Sequence, residues 1–166
     1  MKIIVSAKKL PEEHEKEIRS LLQKSFNLIH TPPFDYCFTS VENNEGIGFC
    51  AAVERSISVC NSNHQVFLLG LFTIEEKYRK KGIGSALLQY TVSYLENNHK
   101  DGVILNCGNE RVPFYTANGF NVISEKALYN RNGSIVQDED PVLLYPYSSC
   151  DIEDYATDSI YLGSDF

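Results

Sequence analysis

Apolar residues recur along this chain in two rhythms. Lys2 to Ser6 carries a short apolar run that predicts a first strand. Pro11-Glu12-Glu13 opens a helix, because proline suits a first helical turn and acids suit its positive end. Ile18, Leu21, Leu22 and Phe26 then repeat at helical spacing. His30 to Pro33 breaks the pattern. Cys37 to Val41 and Gly48 to Val59 read as two strands around an Asn43-Asn44-Glu45-Gly46 turn. Asn61-Ser62-Asn63 marks a second turn. Val66 to Ile74 is continuously apolar, as a strand at the sheet centre must be when both its faces are covered.

A helix is predicted from Gly82 to about Asn97, with Ile83, Leu87, Tyr90 and Tyr94 on one face. Gly102 to Asn106 reads as a fifth strand, and Val112 to Asn118 as a short helix stopped by Gly119. Phe120 to Ile123 follows as a strand. Residues 124–138 form an irregular or hairpin insertion around Asn132-Gly133, and Val142 to Tyr145 is the last strand before a tail. No repeat, low-complexity segment or linker interrupts the 166 residues, so a single domain over 1–166 is expected. The order β-α-β-β-β-α-β-α-β-β predicts an α+β sheet with helices on its faces.

Composition removes several classes. With 43% apolar and 22% charged residues the chain is that of a globular protein. No apolar run approaches the roughly 18–20 residues of a membrane span. The apolar start is too short for a signal peptide, so a cytoplasmic address is expected. The net charge of −7 is unevenly spread: residues 132–166 hold eight acids and no Lys, Arg or His. Such a tail repels nucleic acid and attracts cations. It also holds Ile152, Tyr155, Ile160, Tyr161, Leu162 and Phe166, too apolar for a purely solvated brush, so residues 150–166 are expected to dock on the domain. The five cysteines form no Cys-x-x-Cys pair and have no histidine at zinc spacing. Free thiols and no metal are expected.

The informative segment runs from Ile74 to Leu88. A buried strand ends, the basic loop Arg79-Lys80-Lys81 follows, and Gly82 and Gly84 open a helix. The first turn of a helix offers unpaired N–H groups and a partial positive charge, which suit phosphate. A Walker A loop would need Lys-Ser/Thr after its last glycine, and a Rossmann fingerprint a third glycine where Leu87 stands. The remaining match is Arg-x-x-Gly-x-Gly after a strand. A second segment, Pro113-Phe114-Tyr115-Thr116-Ala117-Asn118-Gly119-Phe120, fits Phe-Tyr-x-x-x-Gly-Phe after the fifth strand. Together and in this order, the two segments resemble the GNAT (Gcn5-related N-acetyltransferase) superfamily, most strongly from Val66 to Phe120.

The resemblance implies a GNAT fold: a mixed, mostly antiparallel central sheet with a splayed strand pair, flanked by helices. It implies acetyl-CoA as cofactor, with main-chain groups of Phe72, Thr73 and Ile74 on the pantetheine. Arg79, Lys80, Lys81, Gly82, Ile83, Gly84 and Ser85 would hold the pyrophosphate. Tyr115 would protonate the leaving thiolate. The C-terminal third, from Gln137-Asp138-Glu139-Asp140-Pro141 to Ser164-Asp165-Phe166, resembles aminoglycoside 2′-N-acetyltransferases more loosely. It implies that Asn106, Asp138, Asp165 and Phe166 face a small cationic amine. Those enzymes carry a glutamate on the central strand where this chain has Gly70. The amine's proton would then go to water, a main-chain carbonyl or a tail carboxylate. Exposed strands of this family often pair two copies, so a homodimer is within what the resemblance implies. Two other readings stand beside it: acetylation of a peptide or protein amine, and a non-catalytic acyl-CoA sensor. A covalent route through Cys107 competes with direct attack, but no histidine after His99 could activate that thiol.

Overall fold

The computed structural model describes residues 1–59, 62–98, 100–147 and 159–164. In chain order its elements are β1 (Lys2–Ala7), α1 (Glu15–Phe26), β2 (Tyr36–Glu42), β3 (Glu45–Val59), β4 (Ser62–Ile74), α2 (Ile83–Glu96) and β5 (Gly102–Asn106). They continue as α3 (Val112–Thr116), β6 (Asn121–Ser124), β7 (Ala127–Arg131), β8 (Ser134–Asp138), β9 (Val142–Pro146) and β10 (Ile160–Ser164). The fold is mixed α and β, with a mostly antiparallel sheet flanked by helices. The described residues fall into two compact units, one drawn from 1–53 and 69–93, the other from 54–68 and 94–166.

In the first unit β1, β2 and β3 pair antiparallel, from Lys2↔Val41 to Ala7↔Tyr36 and from Tyr36↔Ala52 to Glu42↔Glu45. The β2–β3 turn is made by Asn43 and Asn44, both at positive φ, a backbone that asparagine tolerates better than most residues. α1 ends on Asn27, also left-handed, whose N–H caps the Gln23 carbonyl at 2.9 Å. Its apolar face buries Ile18, Leu21 and Leu22. α2 meets the sheet through the Phe38–Tyr90 ring pair and through Cys50 Sγ, 3.4 Å from Thr91 Oγ1.

The buried side of α2 corrects the expected stripe. Ile83 and Leu87 are buried, but Tyr90 and Tyr94 are 43% and 38% exposed. Leu88, Thr91, Val92 and Leu95 take the inner positions instead. The tyrosines sit at the margin of the buried face, a place that suits a ring with a polar end.

The second unit orders its strands β6-β9-β5-β4-β3-β10-β7-β8. β4 begins at Ser62, before the apolar run, because its polar start continues the hairpin with β3. There Gln65 Nε2 donates to Ser56 Oγ at 2.7 Å. β4 and β5 are parallel over Val66–Leu68 and Gly102–Ile104, and the register stops there although β4 runs on to Ile74. The insertion at 124–138 is the β7–β8 hairpin, turned by Asn132 and Gly133 at positive φ. Val142–Pro146 is not the last strand. β10 follows, antiparallel to β3 at Tyr161↔Ser58 and parallel to β7 at Ile160↔Ala127. Leu68, Ile104, Leu144, Tyr129, Ile160 and Leu162 share this unit's core, and burial of each large apolar side chain contributes roughly 1.5–3 kcal/mol.

Candidate active site

The first unit holds the residues expected to bind a diphosphate. Leu71 on β4 has φ +54°, a left-handed backbone that costs a leucine roughly 1–2 kcal/mol. One such residue breaks the strand's regular alternation and re-aims the main-chain groups of Phe72, Thr73 and Ile74 after it. Phe72 is half-buried; Thr73 and Ile74 are buried. The Thr73 hydroxyl lies 2.7 Å from that of Ser25 at the end of α1. Just beyond, the Glu75 N–H donates to the Ile47 carbonyl at 2.8 Å. The end of β4 is thereby held from both sides.

Glu76–Tyr78 then makes one 3-10 turn. Arg79 Nε reaches back to donate to the Ile74 carbonyl at 2.8 Å. Lys77 and Lys81 place their ammonium groups 5.0 Å and 5.4 Å from the centre of the Tyr78 ring. Lys77 also pairs with Glu45 at 3.2 Å. Lys80 and Gly82 both have positive φ, +58° and +78°. Backbone N–H groups converge in such turns and form an anion-binding concavity. The Gly82 carbonyl accepts the Ala86 N–H at 3.0 Å, which makes Gly82 the N-cap of α2. The N–H groups of Ile83, Gly84 and Ser85 therefore have no acceptor within the helix. Ile83 is buried and fixes this end, while Arg79, Lys80, Lys81 and Gly82 are exposed. Free N–H groups, the positive end of a fourteen-residue helix and three exposed cations fit a diphosphate.

The second unit holds the expected acid and the acceptor-side residues. Tyr115 is buried on α3, its ring 5.0 Å from Phe114 and 5.7 Å from Phe120. Its carbonyl accepts the N–H groups of Asn118 and Phe120, and Gly119 between them has φ +92°. The Phe-Tyr-x-x-x-Gly-Phe spacing thus closes one turn and returns Phe120 onto the tyrosine.

Asn106 ends β5, paired with Val142, and is half-buried. The Tyr129 hydroxyl on β7 donates to its Oδ1. Asp138 ends β8 opposite Ala127. Asp140 is pushed above the usual carboxylate range, first by burial, then by the charges of Asp138 and Glu110, against the pull of Arg111. Cys107 joins the same neighbourhood. Burial pushes its thiol up to about 11, with Arg111 opposing and Asp140 and Glu110 reinforcing. Such a thiol is a poor nucleophile at neutral pH, which favours direct attack over the covalent route. Glu110, Arg111 and Tyr129 were not among the expected site residues. Glu110 and Arg111 lie in the stretch between Asn106 and the tyrosine motif, and the charge on both was the available signal. Asp165 and Phe166 lie outside the described residues. Of the tail, residues 159–164 are described, and Ile160–Ser164 form β10. Among the described residues no helix is long and apolar enough to cross a membrane, and no cluster of His, Cys, Asp and Glu could hold a metal.

Known structures share this fold. YhbS of Escherichia coli, a GNAT family N-acetyltransferase in complex with CoA, superposes with a TM-score of 0.65 at 15% identity, covering 96% of this chain and 89% of that one. ElaA of Escherichia coli gives 0.61 at 15%, covering 86% and 98%. NAA60 of Arabidopsis thaliana in complex with a bisubstrate analogue gives 0.59 at 17%, covering 89% and 99%. At such identities the likeness establishes the fold alone. No curated protein matches the sequence. The family model of the acetyltransferase (GNAT) domain matches residues 33–122, more than half of the 166 and inclusive of both motifs. The chain belongs to the GNAT acetyltransferase family.

Proposed function

We propose that this acetyltransferase uses acetyl-CoA to acetylate a primary amine of a small cationic acceptor, by direct attack in a ternary complex. The observation that carries the cofactor assignment is the free N-terminus of α2, capped by left-handed Gly82 and flanked by Arg79, Lys80 and Lys81. When bound, acetyl-CoA supplies an acetyl thioester. Main-chain groups beyond Leu71 orient the pantetheine, and one N–H there polarises the carbonyl. Tyr115 supplies the proton that the departing sulfur takes up. Gly70 offers no carboxylate, so the proton of the attacking amine goes to water, a main-chain carbonyl or a tail carboxylate.

The acceptor class is argued from charge. Burial, and after it the charges of Asp138 and Glu110, raise the Asp140 carboxyl, and an ammonium beside these acids relieves their repulsion. An aminoglycoside-like or polyamine-like molecule meets this requirement with several amines at once. The test is a thiol-release screen over aminoglycosides, polyamines and lysine-rich peptides, repeated with Tyr115→Phe. Turnover on a small polyamine or aminoglycoside is expected, with a loss of about 10²–10⁴-fold in the variant and little change in acetyl-CoA affinity. Turnover on peptides alone would overturn the acceptor class. Full turnover in the variant would remove Tyr115 from the chemistry.

A further inference from the structure

We propose that Tyr129 is a positioning residue, seated by the C-terminal strand β10, which sets the Asn106 amide to read an oxygen of the acceptor. The inference rests on the placement of Asn106 on the acceptor side. Tyr129 is 5% exposed, so its hydroxyl needs an internal partner, and it finds Asn106 Oδ1 at the end of β5. The Tyr129 hydroxyl takes one of the two Oδ1 lone pairs and fixes the orientation of the amide, whose two Nδ2 hydrogens are then the donors it presents to a ligand. Asn106 is half-buried, whereas Tyr129 is buried.

The phenol is held in place by β10. The hairpin β7–β8 adjoins β10 in the strand order, and β10 in turn adjoins β3. Ile160 and Leu162, 1% and 0% exposed, share the core that contains Tyr129. The β10–β7 register slips between Tyr161↔Leu128 and Ser164↔Asn130, so the bulge falls opposite Tyr129. Gly163 makes that bulge at φ +88°, and a side chain there would also meet Arg55 at 3.5 Å. The last described residues of the chain therefore build the seat of a group 23 positions from Asn106.

A donor amide recognises oxygen, not ammonium. An acceptor with hydroxyl groups beside its amines uses it; a plain polyamine does not. The substrate class that the device selects is an amine carrying neighbouring hydroxyl or carbonyl oxygens.

The test compares native protein with Tyr129→Phe, which removes one hydroxyl and keeps the ring. Kanamycin, rich in hydroxyls, and spermidine, with none, serve as acceptors. The KM for kanamycin is expected to rise about three- to tenfold, the worth of one hydrogen bond, with kcat, the spermidine KM and the acetyl-CoA Kd unchanged. Asn106→Ala should abolish most of that effect in the double variant. Equal effects on both acceptors, or effects that multiply independently, overturn the proposal. The Asn106 side-chain NH2 pair in a 15N–1H spectrum gives a readout independent of turnover. It should shift in Tyr129→Phe and also in Leu162→Ala, which loosens the seat. If neither acceptor is turned over, the acceptor class fails, and an NH2 pair unmoved by Tyr129→Phe would by itself sink the positioning role.

Discussion

Arg79 Nε donates to the main-chain oxygen of Ile74 at 2.8 Å, closing the start of the cofactor loop onto the end of β4. The guanidinium is thus both a clamp within the chain and a positive charge beside the helix N-terminus. Lysine keeps the charge but lacks the planar fork that can serve two partners. Arg79→Ala is expected to weaken acetyl-CoA binding about tenfold and Arg79→Lys about threefold, by calorimetric titration. Equal affinities in all three proteins would show that the clamp does not shape the site.

Gly82 has φ +78° and nothing within 4 Å of where a Cβ would stand. A substitution there meets strain without collision. Gly82→Ala should therefore cost about 1–2 kcal/mol in loop geometry and weaken acetyl-CoA about 5–30-fold. Lys80 is already left-handed at φ +58°. Lys80→Gly should keep the loop and lose only charge, a small effect that fades in high salt. The opposite ranking would mean that charge, not backbone shape, governs the grip.

Gly119 differs from Gly82 in having both strain and a neighbour. Its φ is +92°, and an added Cβ would lie 3.0 Å from the Tyr145 ring. Gly119→Ala should destabilise the fold by about 2–3 kcal/mol and lower turnover through Tyr115 on the preceding turn. Urea unfolding and thiol release measure the two effects. An unchanged unfolding midpoint would contradict the packing described.

The buried thiols make stability fall in alkali. Burial pushes Cys37 and Cys50 from near 9 up to about 12, and Cys107 up to about 11. The folded protein holds these protons more tightly than the unfolded chain. Their contribution is complete below pH 9 and disappears as pH rises toward 11–12. Each thiol removes about 1.4 kcal/mol per pH unit within that window. Urea midpoints should hold between pH 7.5 and 8.5 and drop at pH 10.5, less steeply in Cys50→Ala. Cys107→Ser should keep turnover within about threefold, as expected of a packed thiol.

Much of this was legible in the sequence for local reasons. The loop from Arg79 to Ser85 is written in glycines and charges whose effects act within a few residues. The aromatic turn from Phe114 to Phe120 is equally local. Leu71 was not legible, because nothing in its side chain favours a left-handed backbone and surrounding structure must hold it there. The inner face of α2 was misread at Tyr90 and Tyr94, since tyrosine suits either a core or its margin. β10 was hidden by the acids around it: among its described side chains Ile160 and Leu162 are the buried ones, too few to mark a strand in the sequence. The Tyr129–Asn106 bond joins β7 to β5, strands that are not adjacent in the sheet, and such a pairing leaves no spacing to read.

The account stands on the first turn of α2 receiving the cofactor's diphosphate. A 15N–1H spectrum recorded while CoA is added tests this at the atoms concerned. The amide signals of Gly82, Ile83, Gly84 and Ser85 should move in a saturable way, with larger shifts than those of α1. If these four signals stay in place at millimolar CoA, the diphosphate binds elsewhere or not at all, and the account is wrong.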